Sequence, residues 1–243
     1  MKEQIAIVTD SACDLSREYI NQHDIFVLPL RLIYPEGEYR CGLDISSDEV
    51  LRRMPHEIPS TSQPGPDDID AVFDQMRARG IHHAVFVMIS SGLSGTFNMA
   101  RMYCQEHHDI EVELFDSKYL SMGLGYFVMK AVELRDGGLE FGKYASALEA
   151  YRPQVKGYFY VPTLDYLIKG GRIGLVAGTV GKLLNIKPII SCNDEGKYYT
   201  LTKVPGARRA ISRLCDLARD MMGSAECDVT VQHGCAPDDA VRV

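Results

Sequence analysis

Short apolar runs alternate with amphipathic stretches along the first half of the chain. The runs are rich in Val, Ile and Phe and predict β-strands at residues 5–8, 25–34, 84–89 and 110–115. Helical spacing fills the intervals and predicts helices at residues 14–22, 66–79 and 94–107, with Asp14 and Asp67 or Asp68 as caps or first-turn acids. This order predicts an α/β domain with a mostly parallel sheet flanked by helices.

The second half of the chain begins with two predicted helices, at residues 119–134 and 141–151. The apolar stripe of the first predicts a core face, with the wall of an apolar ligand pocket as the alternative. Next come a strand at 155–161, a helix at 164–169, strands at 186–192 and 198–202, a helix at 207–222 and a strand at 229–233. We therefore expect two α/β domains that share an interface, residues 1–155 and 156–243. The boundary is approximate because the middle helices fit either domain.

A loop of small and hydroxyl residues, 90–96, follows a predicted strand and opens a predicted helix. It reads Ser-Ser-Gly-Leu-Ser-Gly-Thr. The first N–H groups of a helix lack intrahelical partners, and the helix dipole adds partial positive charge there. A second hydroxyl cluster, residues 60–64, precedes another predicted helix and is expected to face the first. Two such clusters with no basic side chain between them favour a small oxyanion such as a carboxylate.

Other interpretations of this loop stay open. A nucleophile elbow has the pattern Gly-x-Ser-x-Gly, and Thr96 stands where the last glycine belongs. This near miss lowers the case for a serine hydrolase. Ser94 also suits a plain helix cap, which would need no ligand.

The glycine-rich run at residues 170–182 invites comparison with a phosphate-binding loop. A Walker A loop needs glycine at position 176 and Ser or Thr at position 183, where this chain has Val176 and Leu183. The glycines at 170, 174 and 178 instead predict a helix that packs closely against a neighbour. Arg172 lies in a glycine turn, so we expect it to project freely toward a partner.

Composition and charge narrow the possible functions. The formal net charge of −7 argues against a dedicated nucleic-acid-binding protein. We find neither a signal-peptide pattern nor an apolar run long enough to cross a bilayer, and we expect a cytoplasmic protein. The seven cysteines include no Cys-x-x-Cys pair and fit reduced thiols. The paired histidines at 82–83 and 107–108 project differently, which disfavours a metal site.

Short motifs occur in a fixed order along nearly the whole chain. They are Thr9-Asp10-Ser11 with Asp14-Leu15, Thr61-Ser62-Gln63-Pro64, the run 91–96, Asp116-Ser117, Leu167-x-Lys169-Gly170-Gly171-Arg172-Ile173, Lys187-Pro188-Ile189-Ile190 and His233-Gly234. Each motif is weak alone, but the set in this order is highly specific. Together they resemble the DegV family of bacterial fatty-acid-binding proteins, which includes the binding subunit of fatty acid kinase.

The resemblance implies two α/β domains with a tunnel between them that encloses the chain of a long-chain fatty acid. It implies that the hydroxyls of Thr61 and Ser94 and the N–H of Gly95 hold the carboxylate. Further ligand-binding candidates near the head group are Ser62, Thr96 and His233. No metal and no cofactor is expected apart from the bound fatty acid.

The resemblance also implies a carrier rather than an enzyme. A separate ATP-using kinase subunit phosphorylates the bound carboxylate, and the acyl phosphate feeds phospholipid synthesis. Arg172 would face this kinase, and Lys203, Arg208 and Arg209 are further candidates for partner binding. Transient membrane contact is expected for lipid exchange.

Two departures from the family pattern affect these expectations. The family commonly has a basic residue shortly after the strand at 198–202, where Pro205-Gly206 stands here, and this bears on kinase docking more than on lipid binding. The family also continues through a further helix and strand, so we expect the second domain to be incomplete at Val243. An alternative function is a serine esterase or acyl-transfer enzyme with Ser94 as nucleophile and His233 as base. A third is a structural or regulatory protein whose hydroxyl loops only cap helices.

Overall fold

The computed structural model describes residues 4–179, 185–224 and 226–243. The strands are β1 Ile5–Asp10, β2 Ile25–Leu28, β3 Arg31–Tyr34, β4 Gly37–Arg40, β5 Ser60–Ser62, β6 His83–Met88, β7 Glu111–Asp116, β8 Phe159–Tyr160, β9 Ile186–Cys192 and β10 Tyr198–Pro205. The α-helices are α1 Arg17–Gln22, α2 Ser47–Arg53, α3 Pro66–Ala78, α4 Thr96–Glu106, α5 Ser121–Asp136, α6 Tyr144–Tyr151, α7 Asp165–Lys169, α8 Ala207–Met222 and α9 Pro237–Ala240. Short 3-10 helices lie at Ser11–Cys13, Arg152–Gln154 and Gly174–Thr179.

The described chain forms two compact units. The first contains the residues up to Lys156 together with Asp194–Gly196, and the second contains Gly157–Asn193 and the residues from Lys197 onward. The main sheet of the first unit has the strand order β2-β1-β6-β7, and every neighbouring pair is parallel. The predicted mostly parallel sheet is therefore confirmed.

Apolar cores cover both faces of this sheet. Val85 and Val87 of β6 pack with Leu124 and Phe127 of α5 on one face. The alternate β6 residues pack with α3 and α4 on the other. A strand that is buried on both faces has apolar residues at successive positions, so its sequence is a continuous apolar run. Such runs are easily recognised in the sequence. The core interpretation of the α5 stripe is also confirmed.

The predicted strand at residues 25–34 is wrong as a single element. Pro29 has no N–H to donate to a ladder, and β2 ends just before it. The Leu30 N–H donates instead to Ser11 Oγ at 2.9 Å. The chain then enters a separate antiparallel sheet with the order β4-β3-β5. Neither this sheet nor α2 is predicted from the sequence.

The helix that follows residue 14 starts later than predicted. Ser16 is the N-cap of α1, and its Oγ accepts the Tyr19 N–H at 3.1 Å. Asp14 has a φ of +52°, outside helical geometry, so its prediction as a cap or first-turn acid is wrong. Asp68 does act at the start of α3, where its carboxylate accepts the Gly65 N–H at 2.8 Å.

The second unit contains an antiparallel sheet with the order β10-β9-β8. The predicted bounds of β9 and α8 agree with the structure, whereas the strand predicted at 155–161 is reduced to Phe159–Tyr160. The strand predicted at 229–233 is wrong. Val229 and Val231 are 56% and 43% exposed, so the alternating pattern buries no apolar face among the described residues.

The glycines between residues 170 and 178 do not share one helix, so that prediction is also wrong. Gly170 ends α7, and Gly174, with a φ of +51°, begins a 3-10 helix. A Cβ at Gly174 would lie 2.9 Å from the Tyr198 carbonyl oxygen, so glycine here allows close approach of backbone. Leu183, used above to reject a Walker A loop, lies outside the described residues.

Candidate functional site

The ends of β1 and β6 meet where the main sheet changes its winding direction. From β1 the chain moves first to β2 on one side and later to β6 on the other. Such switch points are where open α/β sheets bind ligands. The buried carboxylate of Asp10 joins the two strand ends, because its Oδ2 accepts the Ile89 N–H at 2.7 Å and its Oδ1 accepts the Ala12 N–H at 3.0 Å. The loop of residues 90–95 leaves the sheet from this point.

This loop delivers Ser94 and Gly95 to the start of α4. Gly95 is the N-cap residue and has no side chain to offer the exposed N–H groups of the first turn. Ser94 Oγ lies 2.8 Å from Thr96 Oγ1 and accepts the Thr96 N–H at 3.3 Å. The hydrogen bond from the Thr96 N–H to Ser94 is long, so Ser94 is a weak cap. The start of α4 therefore offers N–H donors and the partial positive charge of the helix dipole to a ligand.

The second hydroxyl cluster forms an edge strand, β5, and precedes α3 as predicted. In β5, Thr61 pairs with Leu32 and Ser62 pairs with Arg31 of β3. Side chains alternate along a strand, so Thr61 and Ser62 point to opposite faces. Gln63 follows Thr61 by two residues and precedes a proline, which favours extended backbone.

Gln63 brings the two clusters together. A Cβ on Gly95 would lie 2.6 Å from Oε1 of Gln63, which is closer than real Cβ contacts. The Gln63 carboxamide thus lies directly against the N-cap of α4. Thr61 is exposed on β5, two residues before Gln63.

A lysine that the sequence analysis missed also contacts the loop. Lys118 Nζ donates to Asp116 Oδ2 at 2.7 Å and to Ser91 Oγ at 3.3 Å. Asp116 in turn accepts the Ser91 N–H at 3.1 Å. Burial raises the pKa of Asp116, but hydrogen bonds from Lys118 and Ser91 outweigh it and leave the pKa below its usual value. This lysine is paired with a carboxylate, so it adds little net charge to the loop.

The pKa of Asp10 is shifted upward, in the opposite direction to that of Asp116. Burial raises its pKa to about 6, while the N–H groups of Ile89 and Ala12 partly compensate. The sequence did contain a signal for this residue, because Asp10 ends a strand that neighbours the strand before the hydroxyl loop. No comparable signal identifies Gln63 or Lys118, because their positions depend on tertiary packing.

The remaining predicted residues belong to the second unit. His233 is exposed, and its Nδ1 accepts the Ala236 N–H at 3.4 Å. Arg172 does not project freely as predicted, because its guanidinium donates to the Gly170 carbonyl oxygen. Lys203 lies on β10, and Arg208 and Arg209 lie in the first turn of α8; all three are exposed.

The hydrogen bonds of Ser94 bear on the hydrolase alternative. Among the described residues, the Ser94 hydroxyl bonds only with the Thr96 hydroxyl and N–H. A serine nucleophile needs a hydrogen-bonded base such as histidine. The two hydrogen bonds that Ser94 makes fit a hydrogen-bonding role.

Within residues 4–179, 185–224 and 226–243, no three His, Cys, Asp or Glu side chains are grouped so that they could hold a metal ion. In the same residues, no helix has both the length and the apolar character that crossing a membrane requires.

The fold and the loop define an α/β protein with a loop of glycine and hydroxyl residues at the switch point of a parallel sheet. Known proteins identify its family. The model of a family described as "Uncharacterised protein, DegV family" matches residues 4–243. A DegV domain-containing protein of Clostridium acetobutylicum is 40% identical over 98% of this chain and 85% of its own length. One from Clostridium perfringens is 39% identical over 99% of this chain and 86% of its own length. The chain belongs to the DegV family.

Solved structures share the fold. The fatty acid binding DegV family protein SAG1342 from Streptococcus agalactiae matches with a TM-score of 0.89 and 27% identity, over 99% of this chain and 86% of that one. A stearic acid-binding protein from Eubacterium ventriosum matches with a TM-score of 0.81 and 30% identity, over 91% and 78% of the two chains. The predicted two-domain α/β fold class agrees with these structures.

Proposed function

We propose that this protein binds a long-chain fatty acid, with the carboxylate at the start of α4. The observation that carries the proposal is the convergence of two segments at the switch point of the sheet. Ser94 and Gly95 lie at the helix terminus, and the β5 end brings Gln63 against Gly95. Relatives described as fatty acid binding and stearic acid-binding support this class of ligand.

Each group has a defined part in this proposal. Thr96 is buried, and its hydroxyl lies 2.8 Å from Ser94 Oγ. With Thr96 as the donor of this hydrogen bond, the Ser94 proton is left for a carboxylate oxygen. The Gly95 N–H and the Thr61 hydroxyl supply further donors, and such charge-assisted hydrogen bonds are strong. Ser62, which pairs with Arg31, and His233 are assigned to the head group on family resemblance alone.

The acyl chain supplies most of the affinity in this account. Burial of each methylene contributes roughly 0.8 kcal/mol, so an eighteen-carbon acid gains far more from its tail than from its head group. The head-group hydrogen bonds instead fix which end of the ligand enters and hold it in place. We infer that the tail lies in an apolar tunnel.

We further propose that the protein is a carrier that presents the carboxylate to an ATP-using kinase. Arg208 and Arg209 lie in the first turn of α8, which contains no acidic residue. Cations at that end oppose the helix dipole, so these residues do not serve helix stability. With Lys203 and Arg172 they form the proposed docking surface. We also propose that the protein works in the cytoplasm, contacts membranes transiently for lipid exchange and supplies acyl phosphate to phospholipid synthesis.

Stearic acid binding by single-residue variants tests the site. Ser94→Ala and Thr61→Ala should each raise the Kd by about 10- to 100-fold, as expected for a lost hydrogen bond to a charged group. Both should unfold at nearly the wild-type temperature, because both side chains are outside the core. Ser60→Ala is the matched control, since Ser60 is exposed and lies on the opposite face of β5 from Thr61. Equal affinity in all variants would contradict the site.

Acyl phosphate formation with a purified fatty acid kinase catalytic subunit tests the carrier role. Arg208→Ala/Arg209→Ala should slow acyl phosphate formation without changing the Kd for stearic acid. Arg52→Ala is the control, because Arg52 is an exposed arginine of α2 in the first unit. A double variant as active as the control would remove these arginines from the docking surface.

A further inference from the structure

We call residues 90–96 the ligand loop. The backbone of Ser90 makes hydrogen bonds through both its N–H and its carbonyl oxygen. Ser90 is fully buried at the end of β6. Its N–H donates to the Tyr119 carbonyl oxygen at 2.8 Å, and its carbonyl oxygen accepts the N–H groups of Leu93 and Ser94, each at 3.0 Å. The position of Ser94 therefore follows the position of Ser90.

The Ser90 hydroxyl has a separate pair of partners. It accepts the Gly92 N–H at 3.1 Å and donates to the Gly196 carbonyl oxygen at 2.8 Å. Gly196 belongs to the turn Asp194–Gly196, which connects β9 and β10 in the chain and is part of the first unit. We call these three residues the strap turn. One buried hydroxyl thus links the strap turn to the ligand loop.

The strap turn fits against the loop without space for any added atom. A Cβ at Gly92 would lie 2.7 Å from the Glu195 carbonyl oxygen and 2.8 Å from that of Gly196. A Cβ at Gly196, where φ is +73°, would lie 2.0 Å from Ser90 Oγ. Backbone atoms form the contact at Gly92, so no side-chain rotation can relieve a larger residue there. Both positions require glycine.

We propose that the strap turn is a positioning device for the ligand loop, with Ser90 as the positioning residue. When the strap turn packs against the loop, the hydrogen bond to Gly196 fixes the Ser90 hydroxyl. The Ser94 hydroxyl and the Gly95 N–H then keep the positions in which they can bind an anion. The coupling is reciprocal, so a ligand on Ser94 and Gly95 in turn holds the strap turn in place. The ligand half of this inference rests on the proposed function, whereas the contact between turn and loop does not.

Amide hydrogen exchange tests the inference first without ligand. Gly92→Ala displaces the strap turn and keeps every hydroxyl, and Ser90→Ala removes the hydroxyl and keeps the glycines. Either variant should exchange the Leu93 and Ser94 amides faster than wild type, by about tenfold. Gly37→Ala is the matched control, because a Cβ at Gly37 meets nothing within 4 Å. Faster exchange confined to residues 92–96 supports the device. Exchange that stays at the control rate in both variants overturns it.

Stearic acid supplies the second readout, one that a purely structural role would not change. In wild type and in Gly37→Ala, added stearic acid should protect amides both in residues 92–96 and in residues 194–197. In Gly92→Ala, protection should be confined to 92–96, with a Kd about threefold to tenfold higher. Protection of 92–96 without protection of 194–197 in wild type overturns the device and leaves the proposed function standing. Faster exchange in both variants with no stearic acid binding by wild type supports the device and removes the proposed function.

Discussion

Asp68 Oδ2 accepts hydrogen bonds from both Nε and Nη2 of Arg31, at 2.8 Å and 2.5 Å. The same oxygen accepts the Gly65 N–H, and the Asp68 side chain is only 5% exposed. Arg31 stands opposite Ser62 in the small sheet. The ion pair therefore fixes the chain between β5 and α3, the segment that carries Gln63 to the candidate site.

Asp68→Ala should lower the free energy of unfolding by about 2–4 kcal/mol, because it leaves the Gly65 N–H unpaired and leaves Arg31 only its exposed partner Glu38, at 3.0 Å. Urea unfolding measures this loss. Asp67→Ala is the control, since Asp67 lies in the same helical turn but is exposed, and it should change the free energy by less than about 1 kcal/mol. Similar losses in the two variants would show that the ion pair does not anchor the segment.

The stability of the first unit should depend on the charge of Asp10. Burial raises the pKa of Asp10 from 3.8 to about 6, so between these values the folded protein holds a proton that the unfolded chain releases. The stability that Asp10 contributes is therefore present below about pH 4 and lost as the pH rises through 6.

Asp10→Asn removes this titration. As the pH rises from 4 to 7, wild type should lose up to roughly 3 kcal/mol of unfolding free energy relative to Asp10→Asn. Urea titrations at several pH values measure the difference. Asp48→Asn, at an exposed site in α2, controls for the removal of a charge and should give a flat difference. A flat difference for Asp10→Asn as well would contradict the raised pKa.

Two glycines of the ligand loop should differ in their tolerance of alanine. At Gly95 the nearest atom is the far end of the flexible Gln63 side chain, whereas at Gly92 it is backbone. Gly95→Ala should therefore unfold within about 2 °C of wild type, and Gly92→Ala should lose about 1–3 kcal/mol, or roughly 2–12 °C. Differential scanning calorimetry measures both. A larger loss for Gly95→Ala than for Gly92→Ala would contradict the assignment of the rigid contact to Gly92.

The cysteines should separate by burial in their reactivity toward iodoacetamide. Burial raises the pKa of Cys13 to about 11 and of Cys104 and Cys192 to about 12, so these thiols hold little reactive thiolate at pH 8. Cys227 and Cys235 are exposed. Peptide mapping after brief labelling should find the exposed pair modified first. Early modification of Cys13 would indicate that the core around the end of β1 opens readily.

Local periodicity accounts for the parts of the fold that the sequence predicts well. The bounds of β9 and α8 follow from apolar spacing, and β6 is visible because both of its faces are buried. Periodicity does not show where the hydrogen bonding between two strands stops. The sequence therefore predicts one strand where Pro29 separates β2 from β3. It also overpredicted a strand at 229–233, where the alternation has no buried face.

The candidate site was predictable only in its local part. Ser94 and Gly95 are identified by a strand, a hydroxyl loop and a helix in succession. The approach of Gln63 to Gly95 depends on the pairing of β5 with β3, and the seat of Gly196 against Ser90 joins residues 106 positions apart. Such contacts arise from tertiary packing, which a single sequence does not encode as a pattern.

The central claim is that this protein holds a fatty acid without covalent attachment. The most direct measurement is the mass of the purified protein under native and denaturing conditions, with the released molecules identified by negative-ion mass spectrometry. The account predicts a native mass excess that disappears on denaturation and releases a long-chain carboxylic acid. An excess that survives denaturation would contradict it and indicate an acyl-enzyme. A protein with no excess that also fails to take up added stearic acid would contradict it as well.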